Sequence, residues 1–84
     1  MSPDEDQLRG EVGRIWREVL GATQVENDDD FFDSGGDSLA AAKMTSLARR
    51  TGLPLRASEV MRYPRFADLV HVLREKATQA SADG

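Results

Sequence analysis

Leu8, Val12, Ile15, Trp16 and Val19 recur at steps of three and four residues, the spacing that lays one apolar stripe along a helix. Pro3 and the acidic run Asp4-Glu5-Asp6 suit the start of that helix, and Gly21 stands just past its end, so a helix is expected from about residue 4 to 20. Residues 21–37 break the period: Asp, Asn and Gly dominate, and only Val25, Phe31 and Phe32 are available to pin so long a connection to a core. Connections of that length in a small domain are often functional. Residues 39–50 are Ala, Leu, Met, Lys and Arg with a few hydroxyl residues, and Gly52 follows Thr51, which predicts a second helix beginning at Ser38. After Pro54, Ser58 can cap a short helix through Glu59, Val60 and Met61 that Tyr63-Pro64 ends. A last helix is expected over residues 65–78, with 79–84 as a small, polar, frayed tail. No alternating strand pattern or internal repeat is present. The expectation is an all-α four-helix bundle, three long helices and one short, forming one domain over residues 1–84 with its core in about 5–78.

Composition narrows the field. An 84-residue chain can bury one core, not two. Cysteine is absent, so thiol chemistry has to come on an imported group, and disulfides and thiolate metal sites are excluded. The apolar runs are far shorter than a membrane span and the acidic N-terminus is unlike a secretion signal, so the expectation is a cytoplasmic protein, most simply a monomer. Met1 and the short tail suggest a free-standing chain, although an excised module begun with Met would look the same. A net charge of −4 argues against nucleic acid as a partner, which needs clustered cations. The charge is also uneven: 11 of the 15 carboxylates precede Ser38, whereas residues 38–58 hold Lys43, Arg49, Arg50 and Arg56 and no acid.

The candidate chemistry lies in Asp33-Ser34-Gly35-Gly36-Asp37-Ser38-Leu39. Taken alone, this is an ordinary glycine turn followed by an ordinary cap. Yet a hydroxyl at a helix N-terminus sits beside unpaired N–H groups and the positive end of the helix dipole, an environment suited to an attached phosphodiester. The glycines leave its approach open.

Three segments add specificity, in order and spacing: Ile15-Trp16-Arg17-Glu18-Val19-Leu20-Gly21, then Asp29-Asp30-Phe31-Phe32 running into Asp33-Ser34-Gly35-Gly36-Asp37-Ser38-Leu39, then Gly52-Leu53-Pro54-Leu55. Together they cover nearly the whole chain and resemble a peptidyl carrier protein (thiolation domain) of nonribosomal peptide synthesis, within the phosphopantetheine-binding acyl carrier superfamily. The resemblance implies that Ser38 receives 4′-phosphopantetheine from coenzyme A through a magnesium-dependent phosphopantetheinyl transferase, with Gly36, Asp37 and Leu39 around the attachment point. It implies a non-catalytic carrier that holds an aminoacyl or related acyl group as a thioester. Its partners would be an adenylation enzyme, condensation or tailoring enzymes, and a thioesterase. Leu39, Ala42 and Met44 on the second helix, with Val60 and Met61 on the short one, would border the arm and meet these partners. Core packing is the competing role for each, above all for Met44 and Val60, and Leu39 and Met61 are the better contact candidates. The run Ala40-Ala41-Ala42 departs from common members of the family.

Other readings compete. Gly36-Asp37-Ser38-Leu39 spells the motif of GDSL serine esterases, and Asp68-Leu69-Val70-His71 spells their Asp-x-x-His. Those hydrolases place the serine after a buried strand, which residues 28–35 cannot form. At about 100° per residue, Asp68 and His71 also fall opposite the apolar face Phe66, Leu69, Val70 and Leu73. Five aspartates between Asp28 and Asp37 invite a calcium loop, but counting from Asp28 puts Phe32 fifth and Leu39 twelfth, where oxygen ligands are needed. Local backbone bonds from Asp28 or Asp30 are the better account of that acidity, and no metal is expected. An acyl carrier of polyketide synthesis stays open, as do an aryl carrier and a cofactor-free interaction bundle; against a fatty-acid carrier stand the basic residues of the second helix, where those proteins are acidic.

Overall fold

The computed structural model describes residues 4–83, with side chains described for 4–77. Its helices are α1 (Glu5–Leu20), α2 (Ser38–Thr51), α3 (Ala57–Arg62) and α4 (Phe66–Asp83). The expected three-long, one-short all-α architecture is the one found.

Helix boundaries follow local chemistry. Asp4 caps α1 by accepting the Gln7 N–H at 2.7 Å, and Gly21 closes it in the left-handed region at φ 68° while donating its N–H to the Arg17 carbonyl. Gly52, at φ 81°, closes α2 in the same way, and the Leu53 N–H returns to the Ala48 carbonyl at 2.9 Å. Ser58 does not cap α3. The helix begins two residues earlier than a Ser58 cap would set it, at Ala57, and the Glu59 carboxylate accepts the Arg56 N–H at 2.9 Å, a longer side chain reaching back where the serine would have had to sit outside the helix. At the other end, α4 runs past residue 78 to Asp83. Gln79-Ala80-Ser81-Ala82 contains good helix formers and neither Gly nor Pro, so nothing stops the helix where a tail was expected. Gly84 lies outside the described residues.

The core is a single cluster in which Leu8, Val12, Ile15 and Trp16 of α1 meet Ala41, Met44 and Ala48 of α2, Val60 of α3, and Phe66, Leu69, Val70 and Leu73 of α4. Trp16 is the hub: its ring lies edge-on to Phe31 at 5.4 Å and to Phe66 at 5.3 Å between centroids. The long connection between α1 and α2 is therefore anchored, as expected, by Phe31 in the core and by Val25 packed against it. Phe32 is the exception. It is 39% exposed, its ring edge-on to Phe31, because two successive residues leaving a turn cannot both enter the same core.

A second anchor is made of backbone. Asp30 and Arg65 form an isolated antiparallel bridge. The Phe31 N–H donates to the Pro64 carbonyl and the Phe66 N–H to the Asp29 carbonyl, each at 2.8 Å, and the Ala67 N–H reaches the Asn27 carbonyl at 3.1 Å. These bonds sew the loop before α2 to the junction between α3 and α4. They hold the start of α2 in a fixed relation to the core.

Candidate functional site

The turn leading into α2 is built from the acidic residues that could have suggested a metal. Asp30 accepts the N–H groups of Phe32 and Asp33 at 2.8 and 3.1 Å, and Asp29 accepts that of Glu26 at 2.9 Å. Among the described residues no group of three or more His, Cys, Asp or Glu is arranged to hold a metal ion. The turn then closes through the Gly35 N–H to the Phe32 carbonyl and the Gly36 N–H to the Phe31 carbonyl.

The two glycines serve different purposes. Gly35 has φ 99°, a region that only glycine enters without strain. Gly36 has no such φ, but a Cβ there would stand 2.4 Å from two Phe31 ring carbons and 2.7 Å from the Phe31 carbonyl oxygen. Its openness faces the core as much as any visitor.

Asp37 is the N-cap of α2. Its carboxylate accepts the Ala40 N–H at 2.9 Å and its carbonyl the Ala41 N–H at 2.9 Å. This leaves the N–H groups of Ser38 and Leu39 without a partner among the described residues, and the first turn holds no acid. Ser38 is the first residue of α2 and is exposed, with Leu39 beside it 66% exposed. The hydroxyl thus stands at the positive end of a 14-residue helix, next to free donors, with the nearest carboxylate in sequence, that of Asp37, engaged in capping the Ala40 N–H. The residues present fit a phosphodiester on Ser38.

Of the expected contact residues, Leu39, Ala42 and Met61 lie on the surface, Met61 being 44% exposed. Met44 and Val60 do not: both are 0% exposed in the core, so as contact residues they are corrected to packing. On α2 the reason is angular, since Met44 shares the inward face of Ala41 and Ala48 while Leu39 and Ala42 lie across the helix. Phe32 is the surface residue that the sequence reading missed. It flanks the turn before Ser38, and only the burial of its neighbour Phe31 could have pointed to it. Asp68 and His71, the esterase-like pair, are exposed on α4 opposite buried Phe66, Leu69, Val70 and Leu73, and His71 Nε2 lies 3.0 Å from Glu75 Oε1. Ser38 follows a turn instead of a strand.

Residues 11–73 match the family described as "Phosphopantetheine attachment site". The chain belongs to this phosphopantetheine-attachment family. It is a carrier domain of the peptidyl kind, a non-catalytic bearer of covalently attached 4′-phosphopantetheine. The carrier domain is 36% identical over 73 residues to a plipastatin synthase from Bacillus subtilis, covering 87% of this chain and 3% of that protein. It is 33% identical over 84 residues to a linear gramicidin synthase from Brevibacillus parabrevis, covering 100% of this chain and 2% of that protein. It therefore spans only a few hundredths of the length of these relatives. A solved "Non Ribosomal PCP domain" superposes with a TM-score of 0.72 at 35% identity, over 86% of this chain and 91% of that one.

Proposed function

We propose that Ser38 is the attachment residue, and that the carrier domain holds an aminoacyl or related acyl group for an adenylating enzyme and for the condensing, tailoring or releasing enzymes that follow. The observation that carries this reading is the exposed hydroxyl at the start of α2, beside the unpaired N–H groups of Ser38 and Leu39. In the modifying step the Ser38 Oγ–P bond forms as the pyrophosphate linkage of coenzyme A breaks, adenosine 3′,5′-bisphosphate leaves, and the transferase takes up the serine proton. The transferase and its magnesium supply alignment and charge, so the carrier needs no base of its own. When bound, the arm supplies the terminal thiol that a cysteine-free chain lacks.

Gly36 and Asp37 would keep the serine in place, and Phe32, Leu39, Ala42 and Met61 are the surface groups around it that a partner enzyme would meet. Successive partners require small, transient interfaces, because slow release from one would hold up the next. Among the described residues no helix is long and apolar enough to cross a membrane, and the reading takes the carrier domain to act as a monomer in the cytoplasm.

The test is intact-protein mass spectrometry after incubation with coenzyme A, magnesium and a broad-specificity phosphopantetheinyl transferase. The expected result is a gain of one phosphopantetheinyl group by the wild type and none by a folded Ser38→Ala variant. Modification that persists in the variant would move the site elsewhere. Subsequent loading with amino acids, aryl acids and malonyl units separates the peptidyl reading from aryl and polyketide carriers.

A further inference from the structure

Away from Ser38, two clefts meet on the surface. One, of about 460 Å³, lies between α3 and α4 and is lined by Arg56, Ser58, Glu59, Arg62, Tyr63, Val72 and Lys76. The other, of about 340 Å³, lies toward the C-terminal end of α2 and adds Arg49, Leu53, Pro54 and Leu55. Arg56 and Lys76 line both, so the two clefts adjoin at these side chains and together make up a groove. It runs past the far end of α2 from Ser38, a helix of 14 residues and so about 20 Å long at 1.5 Å per residue.

The groove has four cations and one carboxylate. Lys76 is already committed: its ammonium lies 2.7 Å from Glu59 Oε2 and donates to the Pro54 carbonyl at 2.7 Å. That link neutralises Glu59 and ties α4 to α3 and to the loop before it. Arg49, Arg56 and Arg62 are exposed and make no ion pair among the described residues. Between these three guanidinium groups the walls and floor include buried Leu53 and Leu55 and partly buried Tyr63 and Val72. Unspent guanidinium groups at the rim of a partly apolar channel match carboxylates spaced along an extended chain, which can seat acidic side chains on the rim and backbone or apolar atoms below.

We propose that this groove is a second docking surface, for an extended acidic peptide segment of a partner protein, and that it works independently of the Ser38 end. The proposal does not rest on the attachment chemistry. A nucleic acid is the poorer occupant, since three exposed guanidinium groups are too few for the counterion release that drives its binding.

The experiment uses a fluorescein-labelled peptide of ten glutamates and follows anisotropy at low and raised ionic strength. The groove variant is Arg56→Glu/Arg62→Glu. Lys43→Glu/Arg50→Glu changes the net charge equally on exposed residues of α2 that do not line the groove, and circular dichroism verifies that both are folded. The expected result is binding that weakens with salt, a loss of about tenfold in the groove variant and little change in the matched control. An equal loss in both variants, or none in the groove variant, would overturn the proposal. Equal or tighter binding of a ten-nucleotide thymidine oligomer would overturn the choice of a peptide. Phosphopantetheinylation of the groove variant is expected at the wild-type rate, and a loss of that reaction would refute the independence of the two surfaces.

Discussion

Gly36 lies within van der Waals reach of Phe31, and its role belongs to packing before it belongs to recognition. An alanine Cβ there would meet ring carbons at 2.4 Å and a carbonyl oxygen at 2.7 Å. The ring cannot easily retreat, because its other side is against Trp16, and the carbonyl already accepts the Gly36 N–H at 2.8 Å. Gly36→Ala is expected to destabilise the carrier domain by about 1–3 kcal/mol, the usual range for overpacking. At this size each kcal/mol lowers the melting temperature by roughly 4–8 °C. Thermal unfolding followed by circular dichroism measures it, and an unshifted melt would show that the turn can yield. Gly35→Ala meets no neighbouring atom but has to adopt φ 99°, so its penalty is conformational strain.

The four helices were legible in the sequence, the first three most closely because each carries its own punctuation. Asp4 and Gly21 bracket α1, Asp37 and Gly52 bracket α2, and Pro54 and Pro64 fence α3, so their boundaries fell within two residues of the observed ones, whereas α4, with nothing to stop it, runs five residues past its expected end. The glycine turn before Ser38 was legible through Gly35 and Gly36. Most of the misplaced features depend on contacts that local pattern does not encode. Phe31 and Phe32 look alike in the sequence, and only the direction of the turn sends the first to Trp16 and the second outward. Met44 and Val60 are neighbours of surface residues, and their burial follows from how α2 and α3 face each other. The bridge between Asp30 and Arg65 joins segments far apart in the chain, with nothing in either to announce it. That bridge makes a prediction at the scale of the elements. In hydrogen exchange, the amides of Phe31 and Phe66, bonded across the seam at 2.8 Å, are expected to be protected nearly as well as the interior of α1. Exchange of Phe31 as fast as the exposed N–H groups of Ser38 and Leu39 would mean that the loop opens without the rest of the domain.

For the molecule as a whole, charge divides the surface in a way the net value conceals. Residues 1–37 carry eleven acids and three arginines, whereas residues 38–65 carry six cations and a single acid, Glu59, which Lys76 holds. Ser38, the proposed attachment residue, opens this basic stretch, and the groove takes most of its lining from it, toward the other end of α2. A carrier arranged in this way can engage a partner at its arm and be held elsewhere by an acidic tether, with neither contact obliged to be strong.

The chain contains one tryptophan, fully buried where α1, the loop and α4 converge on Phe31 and Phe66. It is an optical gauge already installed at the joint that governs how Ser38 is presented. In the folded domain its emission is expected at short wavelength and out of reach of iodide. If taking on the arm loosens that joint, the spectrum will redden while the helical signal stays constant. If the joint stays shut, the light will not change, and the arm can be regarded as swinging from a fixed hinge post.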